Sequence, residues 1–184
     1  MPSAPGNYFA ALPAHVPHDV IDFVRADAPP DLRWMHPEDL HLTLAFFGHE
    51  NPERHPAVGE VLARIPFTGA EVTLGPLLAL PKAQRCTALA FALADGRDEL
   101  AELIATWRGP LLEAAGCAPD DRPPLPHLTV ARPPREHTRA GKEKLLKWAE
   151  QLRSPATSLR ILPPALYGWS HQRHHRSFRV IEFE

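Results

Sequence analysis

Two short stretches of this chain carry residues that could move protons at one anion: His41-Leu42-Thr43-Leu44 and His127-Leu128-Thr129-Val130. Histidine is the side chain that gives or takes a proton near neutral pH. Both stretches are made of β-favouring and apolar residues, so each reads as part of a strand. Side chains on a strand alternate faces, which puts His41 with Thr43 on one face and Leu42 with Leu44 on the other. His127 with Thr129, and Leu128 with Val130, repeat the arrangement. Residues two apart on a strand are separated by roughly 6.6 Å. From there an imidazole and a hydroxyl can both reach one small anion while the aliphatic face packs into a core.

A neutral imidazole can deprotonate a water, and an imidazolium can protonate a leaving oxygen. Such assistance is worth typically ~10²–10⁴-fold in rate. Two histidines on opposite sides of a phosphorus suit an in-line displacement, and Thr43 and Thr129 would donate hydrogen bonds to the non-bridging oxygens as charge builds there. The motifs hold no Asp or Glu beside the histidines, so no oxygen-ligand site for Mg²⁺ or Mn²⁺ is evident. The arrangement requires neither metal nor cofactor.

The elements that must position these residues occur in a repeated order. Residues 8–12 read as a strand stopped by Pro13, and Asp19 to Arg25 as a short helix ended by Pro29-Pro30. Leu32-Arg33-Trp34 is extended, and His36-Pro37-Glu38-Asp39 is turn chemistry before the first motif strand. That strand runs on to Gly48. A helix from about Pro52 to Arg64 and a strand over 70–80 close the first half. The second half starts again with a strand over 87–94 and a helix from Asp98 to Ala115, which contains Pro110. The second motif strand, a helix from His137 to Leu152 and a strand near Ser158 to Leu162 follow. A hairpin-like strand pair over 165–183 ends the chain. Each half thus reads strand, helix, motif strand, helix, strand. The spacing predicts one α+β domain over 1–184, with a repeat at approximately 7–80 and 87–167. It would form two pseudo-symmetric lobes, each a small, mostly antiparallel sheet with helices on its outer face, and the motifs would meet across a central groove.

Composition narrows the setting. The 184 residues suffice for one full core. A formal net charge of −2 gives no global attraction to nucleic acid or membrane, so any anion binding must be local. Cys86 and Cys117, the only cysteines, make no disulfide framework and fit a reduced interior. No signal-peptide pattern stands at the N-terminus, and no apolar run approaches the ~18 residues of a membrane span. The expectation is a soluble cytoplasmic monomer that does not engage membranes.

With their surroundings, the motifs resemble the two-histidine phosphoesterase superfamily, and within it the bacterial and archaeal RNA 2′,3′-cyclic phosphodiesterases, also called 2′-5′ RNA ligases. The stretches that carry the resemblance are Tyr8-Phe9-Ala10-Ala11-Leu12-Pro13, residues 37–48 (Pro-Glu-Asp-Leu-His-Leu-Thr-Leu-Ala-Phe-Phe-Gly) and Pro126-His127-Leu128-Thr129-Val130-Ala131-Arg132. The resemblance implies hydrolysis of a terminal 2′,3′-cyclic phosphate on RNA or nucleotides to a 2′-phosphomonoester. His41 would be proton donor, His127 proton acceptor, and Thr43, Thr129 and Arg132 the phosphate-binding residues. Asp39 departs from the asparagine common at that place. The physics of the residues leaves donor and acceptor exchangeable. It also leaves open cleavage or formation of a 2′-5′ linkage at the same site, and a groove that only binds nucleotides or RNA ends.

Trp34, Phe9, Phe46, Tyr167 and Trp169 are candidate platforms for a base, although most aromatics at strand spacing belong to a core. The segment from Ser170 to Ser177 concentrates His171, Arg173, His174, His175 and Arg176 and reads as a solvated hairpin tip. Arg135, Arg139, Lys142, Lys144 and Lys147 read as the solvated face of a helix.

Overall fold

The computed structural model describes residues 7–134, 138–155, 157–170 and 176–182. The fold is α+β, with nine strands and four α-helices among these residues. The first half contributes β1 (Asn7–His15), α1 (His18–Arg25), the short β2 (Arg33–Trp34), β3 (His41–His49), α2 (His55–Ala63) and β4 (Ala70–Leu80). The second contributes β5 (Ala88–Leu93), α3 (Arg97–Ala114), β6 (His127–Arg132), α4 (Arg139–Gln151) and β7 (Ser158–Ile161), before the closing pair β8 (Ala165–Trp169) and β9 (Phe178–Ile181). The basic hairpin tip expected from the sequence lies, over 171–175, outside the described residues.

All strand pairs are antiparallel. The path β2-β6-β5-β4-β7-β1-β8-β9 is continuous, and β3 pairs with the other side of β1. Apart from the extra β2, both halves run strand, helix, motif strand, helix, strand, but they do not keep their strands to themselves. β4, the last strand of the first half, pairs with β5 and β7 of the second. β7, the last strand of the second, pairs with β1 and β4 of the first. Local sequence reports that a strand forms; it does not report which distant edge receives it.

The helices cross over as well. α3 packs on β3, so a helix of the second half covers the aliphatic back of the first motif. On α1, Val20, Ile21 and Val24 line one narrow space with Phe91, Leu128 and Val130, on the back of the second. Leu42, Leu44, Leu128 and Val130 are accordingly all buried in one core cluster that spans both halves. Gly96, at φ +75°, makes the tight turn from β5 into α3; a Cβ there would stand 2.8 Å from Val72 Cγ1. Pro110 lies inside α3, which runs on through it to Ala114. No helix among the described residues is long and apolar enough to cross a membrane.

Pro13 does not stop β1, as its sequence suggested. The strand continues to His15, with Pro13 opposite His41. A proline is tolerated at this point because its carbonyl still accepts from Leu162 N–H, at 2.8 Å, while the ladder passes to the backbone of Ala14, whose N–H reaches Leu40 O.

Candidate functional site

His41 and His127 are the first residues of their strands, β3 and β6. The ring of each is tied to the carbonyl two residues upstream. His41 Nδ1 lies 2.6 Å from Asp39 O, and His127 Nδ1 lies 2.6 Å from Leu125 O. A carbonyl only accepts, so Nδ1 must carry the hydrogen in both rings. Nε2 is thereby left as the ring nitrogen that could exchange a proton in both.

A bulge shapes both motif strands at the same place. In β3, Ala11 pairs with Thr43 and Ala10 with Ala45, leaving Leu44 as the extra residue. In β6, Ala90 pairs with Thr129 and Leu89 with Ala131, leaving Val130 extra. The residue before the bulge and the two within it then alternate differently from a regular strand. Thr43 is half-buried, Leu44 and Ala45 are buried, and Phe46 is exposed; Thr129, Val130, Ala131 and Arg132 follow the same series. Strict alternation would turn Arg132 away from His127. The bulge returns it to the His127 and Thr129 face and puts Phe46, 53% exposed, in the equivalent place after His41 and Thr43. The cross-strand neighbours of the motif residues are small: Pro13 beside His41, Ala11 beside Thr43, Ala92 beside His127 and Ala90 beside Thr129. Their short side chains leave the space above the sheet to the motifs.

The two motifs converge. Thr43 of the first and His127 of the second line one open cavity of about 340 Å³, together with Leu80, Pro81, Leu125 and a polar wall of Arg108, Asp120 and Arg122. That wall is cross-braced. Arg108 donates to Arg122 O at 2.6 Å, and Arg122 grips Asp120 with two side-chain hydrogen bonds of 2.8 and 2.7 Å. Those bonds hold the Asp120 carboxyl well below the usual carboxylate range. Arg122 stands only five residues before His127, yet no local pattern marked any of the three.

His41 sits in an aromatic nest. Phe9 lies 4.7 Å away by ring centroids, Phe178 meets its edge at 5.6 Å, and Tyr167 stacks at 5.7 Å. Phe9 and Tyr167, two of the candidate base platforms, are buried in support of this ring. Trp34 is partly buried, with the Arg25 guanidinium 5.2 Å over its ring. Phe46 is the candidate left standing exposed on the motif face. Burial pushes the His41 ring down to about 4 against the pull of Asp39, whose carbonyl and charge favour the protonated form; the charges of His127 and Arg132 lower it further. His127 and Arg132 are thus within electrostatic reach of His41.

Asp39 is the residue whose weight the sequence concealed. It reads as part of a turn, yet it is 1% exposed. Its carboxylate accepts from Ser177 N–H at 2.6 Å and Phe178 N–H at 3.2 Å, and Arg176 Nε stands 3.7 Å away. Its own carbonyl holds His41. One residue therefore fixes the His41 ring and the entry to β9, whose Phe178 packs on that ring. Among the described residues, no group of three or more His, Cys, Asp or Glu is placed to hold a metal ion.

Comparison with known proteins agrees with this architecture. The family model of LigT-like phosphoesterases matches residues 20–85, a span that includes the first motif. E. coli LigT, solved in complex with 3′-AMP, is 23% identical and superposes with a TM-score of 0.68 over 98% of this chain and 97% of its own. The protein TT0787 of Thermus thermophilus gives 21% and 0.63 over 96% and 95%. Usb1 of Kluyveromyces marxianus gives 14% and 0.56 over 99% and 100%. E. coli LigT has also been solved with NADP+ and with ATP. No curated protein matches the sequence. Over residues 20–85 the family model supports the two-histidine phosphoesterase superfamily that the paired motifs resemble, and the solved structures share the fold.

Proposed function

We propose that this protein is a metal-independent phosphodiesterase that opens terminal 2′,3′-cyclic phosphates on RNA or nucleotides, leaving a 2′-phosphomonoester. The observation that carries the reading is the duplicated site: two His-x-Thr strands, bulged at the same residue, with both imidazoles held as the Nδ1–H form. A binding groove alone has no need of two such titratable rings.

In this reading Nε2 of His127 takes a proton from water as its oxygen attacks phosphorus. The bond from phosphorus to the 3′ oxygen breaks, and that oxygen receives the proton from His41. Thr43 and Thr129 hydrogen-bond the non-bridging oxygens, and Arg132 carries the charge that builds on them. His41 is neutral in the free protein at neutral pH, since its ring titrates at about 4. The bound phosphate brings negative charge beside the ring and raises it, opposing burial, His127 and Arg132. Substrate binding and protonation of the donor are then linked. Phe46 offers its exposed ring to the terminal base. That E. coli LigT has been solved with 3′-AMP is in keeping with a nucleotide at this groove.

The test is end-group analysis of an oligonucleotide ending in a 2′,3′-cyclic phosphate, incubated with the protein in EDTA. A 2′-phosphate end is expected, and His41→Ala or His127→Ala should each slow its formation by ~10²–10⁴-fold. A 3′-phosphate product, activity lost to the chelator, or wild-type turnover in both variants would overturn the proposal. Accumulation of 2′-5′-joined strands instead would assign the site to ligation.

A further inference from the structure

Arg33 stands directly opposite Arg132 in the β2–β6 ladder. Cross-strand partners project to the same face of a sheet. The next pair, Trp34 and Ala131, turns inward: Ala131 is fully buried and Trp34 packs against the core. Arg33 and Arg132 therefore both lie on the outer face, the one to which the Val130 bulge returns Arg132 beside His127 and Thr129. β2 is an edge strand, so nothing in the sheet lies beyond Arg33.

Two like charges directly opposed across a ladder repel. Among the described residues neither guanidinium is paired with a carboxylate: the arginines in ion pairs there are Arg108, Arg122, Arg139, Arg176 and Arg179. The repulsion is felt, because Arg132 is held below its ordinary value by partial burial and by the charge of Arg33. A sheet that places two unpaired guanidiniums side by side at the rim of an anion site is arranged for more than one anion.

We propose that Arg33 is a second phosphate-binding residue, which takes the backbone phosphate next to the terminal nucleotide while Arg132 serves the reacting one. The inference rests on the proposed function and adds a substrate class to it: the strand end of an RNA, in preference to a free cyclic mononucleotide. Arg33 touches no reacting atom. Its contribution is binding, of a charge-assisted and salt-sensitive kind.

The experiment compares Arg33→Ala with wild type on 2′,3′-cyclic AMP and on a short oligoadenylate ending in a 2′,3′-cyclic phosphate. The loss in kcat/KM on the oligonucleotide should exceed that on the mononucleotide by about tenfold and should reside in KM. The slope of log kcat/KM against log salt for the oligonucleotide should become shallower by about 0.7, the increment for one single-strand phosphate. Arg33→Lys should retain most of that slope. Equal losses on both substrates, or no loss on the oligonucleotide, would refute the assignment. Should wild type turn over neither substrate, the failure belongs to the proposed reaction. Calorimetric binding of a 2′-phosphate-ended oligoadenylate against 2′-AMP then decides Arg33 by the same contrast.

Discussion

His41 and His127 make the same hydrogen bond: each Nδ1 lies 2.6 Å from the carbonyl oxygen of the residue two before it. The equivalence ends at the surroundings. His41 is enclosed by Phe9, Tyr167 and Phe178, whereas Leu125, which supplies the carbonyl for His127, is exposed. One backbone device thus serves two rings in different environments, one walled by aromatics and one beside solvent.

Arg132 lowers the His41 ring by its charge. Arg132→Gln should therefore move the ring upward from about 4 in the free protein, while the loss of a phosphate contact lowers kcat/KM. The ring carbon shifts of His41, followed by NMR across pH 3 to 8, report the first effect. A ring that titrates lower in the variant, or unchanged, would contradict the arrangement.

The same ring predicts a pH dependence of stability. Folded His41 titrates at about 4, against about 6.5 in the unfolded chain. Between those values the unfolded state binds the extra proton, so this group makes stability fall as pH drops from about 6.5 to about 4, with no further loss below. His41→Gln should flatten that part of the curve. Urea midpoints measured at pH 7, 6, 5 and 4.5 supply the comparison; parallel curves for the two proteins would dismiss the linkage.

Removing the Asp39 carboxylate leaves the N–H groups of Ser177 and Phe178 without their acceptor. Asp39→Ala should cost about 3 kcal/mol, and Asp39→Asn, which keeps one acceptor oxygen, less. Hydrogen exchange at Ser177 and Phe178 should speed up in step, and kcat should drop because Phe178 no longer braces His41. Unaltered exchange at these two amides would show that the carboxylate is not what holds them.

Phe46 is half exposed and sits at the place in β3 that Arg132 holds in β6. Phe46→Ala should leave stability within about 1 kcal/mol. It should raise KM for a nucleotide substrate about tenfold, in line with ~1–3 kcal/mol for one stacked base. A large loss of stability with KM intact would make Phe46 a packing residue.

Much of this was legible in the residues. Alternation along H-L-T correctly divides His41 and Thr43 from Leu42 and Leu44, and helical spacing locates all four helices within a few residues. Arg132 could not be placed that way. A bulge is a matter of register between two strands, and H-L-T-V-A-R reads identically with or without one. Asp39 was hidden for a related reason: its partners, Ser177 and Phe178, lie 138 and 139 residues away. The repeat was visible as an order of elements, but the exchange of β4 and β7 between halves was not, since pairing partners are chosen by the assembled fold.

That exchange bears on how the protein could have been assembled and how it can be taken apart. Among the described residues of the first 80, β4 has no strand to pair with, because both of its neighbours, β5 and β7, come later. Among the described residues β7 in turn pairs with β1 and β4 alone. A gene cut between the halves would yield two polypeptides that each retain one motif histidine and an orphaned strand. Neither would stand alone, and mixing them should rebuild one active particle by fragment complementation.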